Sequence, residues 1–352
     1  MRALVLCGGE GSRLRPLTHT SAKQLIPVAG APILFHALDA IRDAGITDVG
    51  IVVGQTADEV RAAVGDGSAW GMHVTYIPQE APLGLAHAVL TARDFVAGQP
   101  FLMYLGDNVL LEGVRRFVEG FERTRPHAQI FLARVPEPER FGVAVLEGDR
   151  VVRLVEKPRE HVSDLALVGV YLFDDSILEA AATLRPSWRG ELEITEAIQW
   201  LIDHGRTVRA EMVSGWWKDT GRPSDLLEAN RVMLSSRTTA IDGDVDAAST
   251  IDGVVRVAHG AKVIRSELRG PVVIGPDAVV EDAVIGPDVS IERDARIVKS
   301  VVSDSIVMEG CQIVEVRGLS GSILGRNVEV RHSGTDGVHR LVVGDQSRVE
   351  VD

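Results

Sequence analysis

The residues best suited to chemistry stand near the start of the chain, in Leu4-Val5-Leu6-Cys7-Gly8-Gly9-Glu10-Gly11-Ser12-Arg13-Leu14-Arg15-Pro16-Leu17-Thr18 and Lys23-Gln24-Leu25-Ile26-Pro27-Val28. Three glycines fall within four positions, where the absent Cβ lets backbone N–H groups approach a ligand closely. Arg13, Arg15 and Lys23 add positive charge beside them. The first 30 residues hold four basic side chains (Arg2, Arg13, Arg15, Lys23) against one acidic, Glu10, a local net of +3, while the whole chain stands at −13. Cations gathered on a glycine loop of an acidic chain point to a phosphate site. It is not a Walker loop, since no Gly-x4-Gly-Lys-Ser/Thr run exists, and the dinucleotide pattern Gly-x-Gly-x-x-Gly fails where Gly9 and Gly11 lead to Leu14. Two carboxylates, Asp107 in Gly106-Asp107-Asn108 and Asp219 in Trp216-Trp217-Lys218-Asp219-Thr220, each follow a strand-like run. By type they suit Mg²⁺, which takes one or two carboxylates plus water and phosphate oxygens, or they are ordinary loop residues.

The elements that must hold these residues alternate. Apolar runs at Ala3–Leu6, Val49–Val53, Val74–Ile77, Phe101–Leu105 and 129–135 read as strands, and helical spacing marks 33–44, 57–64, 85–95 and 113–125. This order predicts an α/β fold, a Rossmann-like mixed, mainly parallel sheet with helices on both faces. Ligands bind such sheets at the carboxyl ends of the strands, where Gly8–Arg13 and Gly106–Asn108 lie. Beyond residue 140 the pattern is mixed, with a hairpin over 143–156, a strand at 167–173, a helix at 192–204, a strand at 208–213 and a helix at 223–234. Residues 1–236 form the first expected domain and 237–250, poor in bulky apolar residues, a linker.

From 251 the helical period vanishes. Short units opening on Ile or Val, such as Ile274-Gly275-Pro276-Asp277-Ala278-Val279 and Ile285-Gly286-Pro287-Asp288-Val289-Ser290, resemble the hexapeptide repeat of a left-handed parallel β-helix. The repeat is interrupted at 280–284 and 298–306, and the domain, 251–352, is expected to close on a terminal strand or cap.

The complete string Gly-Gly-x-Gly-Ser-Arg-Leu-x-Pro-Leu-Thr, then Lys-Gln-Leu-x-Pro-Val, resembles the signature of the sugar-1-phosphate nucleotidylyltransferases. It is nearest to the glucose-1-phosphate thymidylyltransferases in their long form, with the β-helix appended. Cys7 stands where a small non-thiol residue is more usual. The resemblance implies that dTTP and α-D-glucose 1-phosphate give dTDP-glucose and pyrophosphate, with Mg²⁺, by direct attack on the α-phosphorus, supplying deoxysugar biosynthesis. It implies catalytic roles for Arg13, Lys23, Asp107 and Lys157, and metal binding by Asp107 and Asp219. Leu6, Gly8, Gly9, Gly11, Ser12, Arg13, Lys23, Gln24, Gln79, Pro82, Gly84, Leu105, Gly106 and Asp107 are the implied nucleotide site. Asn108, Gly142, Glu156, Lys157, Leu167, Val168, Gly169, Tyr171, Arg189 and Trp217 are the implied sugar-phosphate site. Taken alone, Glu156-Lys157-Pro158 reads as an exposed turn, and Glu191 and Glu193 as helix N-terminal charges. The Gln79 amide can both donate and accept, as the O4/N3 edge of a pyrimidine requires. A thymine methyl adds one apolar contact, so a UTP-using or bispecific enzyme is the alternative. Of Trp216 and Trp217, one is expected in the core and the other at the pocket edge.

Other function classes fit less well. Hexapeptide acyltransferases need a catalytic histidine, whereas the repeats hold only His259 near their start. The acidic balance argues against a nucleic-acid or membrane-surface binder, and the opening apolar run is too short for a signal peptide. Two cysteines, Cys7 and Cys311, suggest no disulfide framework and fit a cytoplasmic protein. A homo-oligomer assembled through the β-helix is expected. The sequence does not fix dTTP over UTP, the range of sugar phosphates, the oligomeric state or an effector site.

Overall fold

In the computed structural model residues 1–9, 11–332 and 337–351 are described. Glu10 of the glycine loop, and residues 333–336 and 352 of the expected cap, lie outside them. The chain divides into two compact units, Met1–Glu10 with Leu34–Asp219, and Gly11–Ile33 with Thr220–Asp352. This differs from a division at residue 236, because the segment after the first glycines groups with the C-terminal part.

The first unit is built on one nine-stranded sheet. Its order is His73–Pro78, Asp48–Val53, Arg2–Cys7, Phe101–Leu105, Leu165–Phe173, Ala128–Arg134, Val208–Met212, Arg150–Glu156, Gly142–Glu147. The first four strands are mutually parallel, joined through the helices Ile33–Asp43, Ala57–Val64 and Leu85–Thr91. Three of them, Arg2–Cys7, Asp48–Val53 and Phe101–Leu105, are largely continuous apolar runs because both faces are covered, with Leu4, Val5, Ile51, Val52 and Met103 all wholly buried, whereas the edge strand His73–Pro78 is partly exposed. Leu165–Phe173 then enters antiparallel to both its neighbours, and the hairpin Gly142–Glu147 with Arg150–Glu156 closes that edge. The register of Leu165–Phe173 slips between Leu167 and Tyr171, with Gly169 at φ +72° in the slip. A bulge of this kind re-aims backbone toward a site.

The second unit is dominated by three parallel sheets of seven, seven and five short strands, the arrangement of a left-handed parallel β-helix. Its interior is three apolar columns, among them Val257 over Ile274, Ile291, Val307 and Leu324, and Leu268 over Ile285, Val302 and Leu319. No single coil could bury such residues, so each is stable only between neighbours. The interruptions expected at 280–284 and 298–306 are absent: Val279–Glu281, Val284–Ile285, Arg296–Val298, Val301–Ser303 and Ile306–Val307 all stack in register. What looked like breaks are corners, turned by Asp282, Lys299 and Asp304 at positive φ rather than by glycine. Serine hydroxyls seal other corners by accepting a backbone N–H from the next coil, Ser266 from Ala283 (3.1 Å), Ser300 from Val316 (3.0 Å) and Ser322 from Leu341 (2.9 Å).

The segment expected as a linker is the β-helix's first coil. Ala240–Ile241 and Asp244–Val245 pair in parallel with Val255–Val257 and Lys262–Ile264. Its apolar content is low because an end coil has only one neighbour to bury against.

Candidate active site

In the first unit the carboxylates come together through a two-stranded ribbon. Trp217–Asp219 pairs antiparallel with Asn108–Leu110, which places Asp219 opposite Asn108 and one residue from Asp107. Asp107 is 7% exposed and Asn108 2%. Asn108 is held on two sides: its Nδ2 donates to Asp107 Oδ1 (3.1 Å) and its Oδ1 accepts from Trp217 Nε1 (2.7 Å). The bulged strand comes in over the same residue, since a Cβ on Gly169 would stand 3.0 Å from the Asn108 side chain and 2.9 Å from Leu105. Trp217 meets Phe141 edge-on at 5.5 Å between ring centroids. Neither Trp216 nor Trp217 is fully buried, so the expectation of one core tryptophan fails. The indole of Trp217 is spent instead on fixing Asn108.

Among the described residues no group of three or more His, Cys, Asp or Glu could enclose a metal ion. Asp107 and Asp219 are a two-carboxylate set. That suits Mg²⁺, which keeps waters and shares substrate phosphates, and does not suit a closed protein cage such as a structural zinc site.

The hairpin supplies a second cluster. Glu156 pairs with Gly142, and the ladder continues as Lys157 N–H donates to Phe141 O (3.0 Å). Lys157 takes φ +41°, turning the chain away from the strand at that residue. Glu156 accepts from Thr195 Oγ1 (3.2 Å) and from Arg189 Nη1 (3.4 Å). Burial, then the neighbouring Glu193, hold the Glu156 carboxyl above the usual carboxylate range, against the pull of Lys157 and Arg189. Arg189 also contacts Glu191 (2.7 Å) and Glu193 (3.1 Å). Glu191 and Glu193 therefore act here as partners of Arg189, not as plain helix-terminal charges. Glu193, 3% exposed, also accepts from Ser187 Oγ (2.8 Å). Leu167, Val168, Gly169 and Tyr171 line the buried bulged strand.

The third group gathers at the ends of Arg2–Cys7 and His73–Pro78. Leu6 ends in the sheet, and Gly106 N–H donates to Leu6 O (3.0 Å). A Cβ on Gly8 would lie 2.7 Å from Gln79 Oε1, so any larger residue there would push the Gln79 amide aside. Gln79 Nε2 lies 2.9 Å from His87 Nδ1 and donates to it when the ring carries its proton on Nε2. His87, from the helix Leu85–Thr91, escaped the sequence reading, although its place on one turn after Gly84 was a signal. Pro82 is exposed. At Gly84, φ +106°, a Cβ would strike Leu192 O at 2.4 Å, so backbone packing demands glycine there. Gly9 is exposed.

In the second unit, Gly11–Lys23 is a succession of three short 3-10 turns, Ser12–Leu14, Leu17–His19 and Lys23–Leu25. Gly11 adopts φ +64°, and a Cβ there would meet Lys23 Cβ and the Thr18 methyl at 3.0 Å. Thr18 Oγ1 donates to Gly11 O (2.8 Å). Leu14 and Leu17 are buried, while Ser12, Arg13 and Arg15 are exposed. Gln24 is 1% exposed, and its Oε1 accepts no hydrogen bond among the described residues.

The family model described as nucleotidyl transferase matches residues 2–236. The chain belongs to the nucleotidyl transferase family. A glucose-1-phosphate thymidylyltransferase of Streptomyces griseus is 53% identical over 353 residues, covering 100% of this chain and 99% of that protein. The protein of the same name from Streptomyces antibioticus is 50% identical over 354 residues, with 100% and 99% covered. A solved Bacillus anthracis structure, a candidate glucose-1-phosphate thymidylyltransferase in complex with sucrose, is 36% identical with a TM-score of 0.63; it covers 66% of this chain and 94% of its own. The likeness to the two Streptomyces enzymes thus runs through the β-helix as well. Nucleotidyl transfer uses a nucleoside triphosphate and a divalent metal, and relatives so named act on a sugar 1-phosphate.

Proposed function

We propose that this nucleotidyl transferase makes dTDP-glucose and pyrophosphate from dTTP and α-D-glucose 1-phosphate, supplying deoxysugar biosynthesis. The reading is carried by full-length likeness to enzymes named for that reaction. In the reaction a phosphate oxygen of the sugar phosphate forms a new P–O bond to the α-phosphorus, and the α–β bridging bond breaks. Both reactants are anions, so the protein's task is charge compensation and alignment, with no covalent intermediate on a side chain. Lys157 would hold the attacking phosphate, and Glu156, fixed by Thr195 and Arg189, would accept from sugar hydroxyls. Arg189 stands close enough to Glu156 to serve the sugar site chiefly by ordering that carboxylate. Arg13 would take the pyrophosphate oxygens by bidentate contact, and Lys23 and the loop N–H groups the remaining phosphates. Gln79, with one donor spent on His87, would read the base edge with its other donor and its oxygen.

Asp107 and Asp219 would hold Mg²⁺, which when bound neutralises phosphate charge. The parallel coils would serve assembly of a homo-oligomer, and the buried thiols of Cys7 and Cys311, in no disulfide, suit a reducing cytoplasm. A pyrophosphate-release assay with Mg²⁺ and glucose 1-phosphate, comparing dTTP, UTP, ATP and GTP, tests the reading. Turnover with dTTP above UTP supports it. Equal rates keep the reaction and remove the thymidylyl preference, and no release with any of the four overturns it.

A further inference from the structure

The second unit joins two segments far apart in sequence, Gly11–Ile33 and the β-helix. One outward-facing column of the helix is not solvated. Ser290 lies between the inward-facing Val289 and Ile291, and Ile306 and Ile323 stand in register with it, each beside an inward-facing residue, Val307 and Leu324; yet all three are 0% exposed. Gly30 lies against Val273 of the same column, where a Cβ would meet the valine at 2.9 Å. Ala29 N–H donates to Asn230 Oδ1 (2.9 Å), and Asn230 Nδ2 donates to Asp288 O (3.1 Å). Arg231 pairs with Asp304 through two nitrogens, at 2.6 and 2.7 Å.

The other end of the segment reaches the last coil. Thr20 Oγ1 donates to Asp345 Oδ2 (2.7 Å), and Ser21 Oγ lies 3.4 Å from the same oxygen. Arg326 Nη1 donates to Ser21 Oγ (3.0 Å). Asp345 is itself fixed, because its Oδ1 accepts the backbone N–H of Arg326 (2.8 Å). Beside it, Gly344 lets Pro16 come close; a Cβ there would stand 3.0 Å from Pro16 O.

These contacts bracket the phosphate loop. Between Arg13 and Lys23 the backbone has only 3-10 turns and neither a sheet ladder nor an α-helix, so its own backbone hydrogen bonds are local ones such as Leu14 N–H to Gly11 O (2.9 Å). The side chains tying it to the last coil lie at Thr20 and Ser21, three and two residues before Lys23.

We propose that Asp345, in the last coil of the β-helix, and Arg326, in the coil before it, are positioning residues that brace the Ser12–Lys23 loop for the nucleotide phosphates. The β-helix is then part of the nucleotide site's support as well as an assembly element. The inference rests on the proposed transferase function for its kinetic readout only, because bracing is measurable without substrate.

The test uses the full chain with Asp345→Ala and, from the loop side, Thr20→Val. Hydrogen exchange of the ligand-free protein is expected to accelerate in peptides covering 11–25 in both variants, and in Asp345→Ala also at Arg326, whose N–H loses its acceptor, while Thr20→Val leaves Tm unchanged. Steady-state kinetics are expected to show KM for dTTP rising about tenfold, the loss of one hydrogen bond to a charged group, while KM for glucose 1-phosphate stays within about twofold. The double variant should be no worse than Asp345→Ala, since removing the Asp345 carboxylate already removes the Thr20 bond. Unchanged exchange over 11–25, or an equal rise of both KM values together with a fall in Tm, overturns the proposal. A wild-type protein inactive with every nucleotide would defeat the assigned reaction and leave the exchange result to decide the bracing.

Discussion

At the scale of single residues, the chemistry concentrates in a few charges whose surroundings set what they can do. Asp107 is buried and next to Asn108, whose amide is fixed from both ends, so its carboxylate has little freedom to relax around a changed charge. Asp107→Asn is therefore expected to lower kcat by about two orders of magnitude, the usual cost of deleting a preorganised charge at a transition state. The loss should persist at saturating Mg²⁺ if the carboxylate acts in the chemical step; near-wild-type turnover at limiting Mg²⁺ would remove it from the metal site. Glu156 is the contrasting case, a half-buried carboxylate that faces Arg189, Lys157 and Thr195 while Glu193 opposes its ionisation. Glu156→Gln should raise KM for glucose 1-phosphate by about tenfold, the loss of a charged acceptor, and leave KM for dTTP unchanged. Steady-state kinetics with each substrate varied in turn checks this. The types and spacing of Arg13, Lys23, Asp107, Lys157 and Asp219 were readable in the chain. His87 and Thr195 were not, because their roles come from touching Gln79 and Glu156 on other elements, Thr195 reaching a strand 39 residues earlier.

At the scale of elements, the strands of the first unit were legible because buried parallel strands must be continuous apolar runs. The reversed direction of Leu165–Phe173 was not, since an apolar run carries no sign of its direction. In the β-helix the inward aliphatic column announced itself, while corners lacking glycine hid the regularity of the coils. One corner carries a measurable cost. Burial, then the nearby Glu309, push the Glu292 carboxyl up to about 7, with Arg326 acting in the opposite sense. Its buried Oε1 accepts no hydrogen bond among the described residues. A raised folded-state value means that the folded chain holds the proton more tightly than the unfolded chain. Stability is thus unaffected below the ordinary value of 4.5 and declines as pH rises from there to about 7. The full penalty is about 3 kcal/mol. Glu292→Gln should match the wild type in Tm at pH 4.5 and exceed it by a few degrees at pH 8. A variant that gains nothing at the higher pH would contradict the origin assigned to the shift.

At the scale of the whole molecule, a ligand that binds only the folded state stabilises it by mass action. If Asp107 and Asp219 serve the nucleotide through Mg²⁺, dTTP with Mg²⁺ at about 100 times its Kd should add about 2.7 kcal/mol. Tm should then rise by several degrees, and far less with ATP at the same concentration. Thermal unfolding at fixed protein concentration measures both. An equal shift with ATP would indicate phosphate binding without base selection.

By itself the sequence determined the glycine and cation loop, the two aspartates, the alternation of strand and helix, and the hexapeptide ladder. Each of these is local: a spacing, a residue type or a period of burial that a short stretch carries alone. Only the tertiary structure decided that Asp219 stands opposite Asn108, that Arg189 is shared among three glutamates, and that residues 11–33 belong with the β-helix rather than with the strand that precedes them. The physical reason is that register, bulges and surface complementarity are set by which apolar faces find one another. A hydroxyl such as Thr20, unremarkable in its own stretch, gains meaning only from an aspartate 325 positions away.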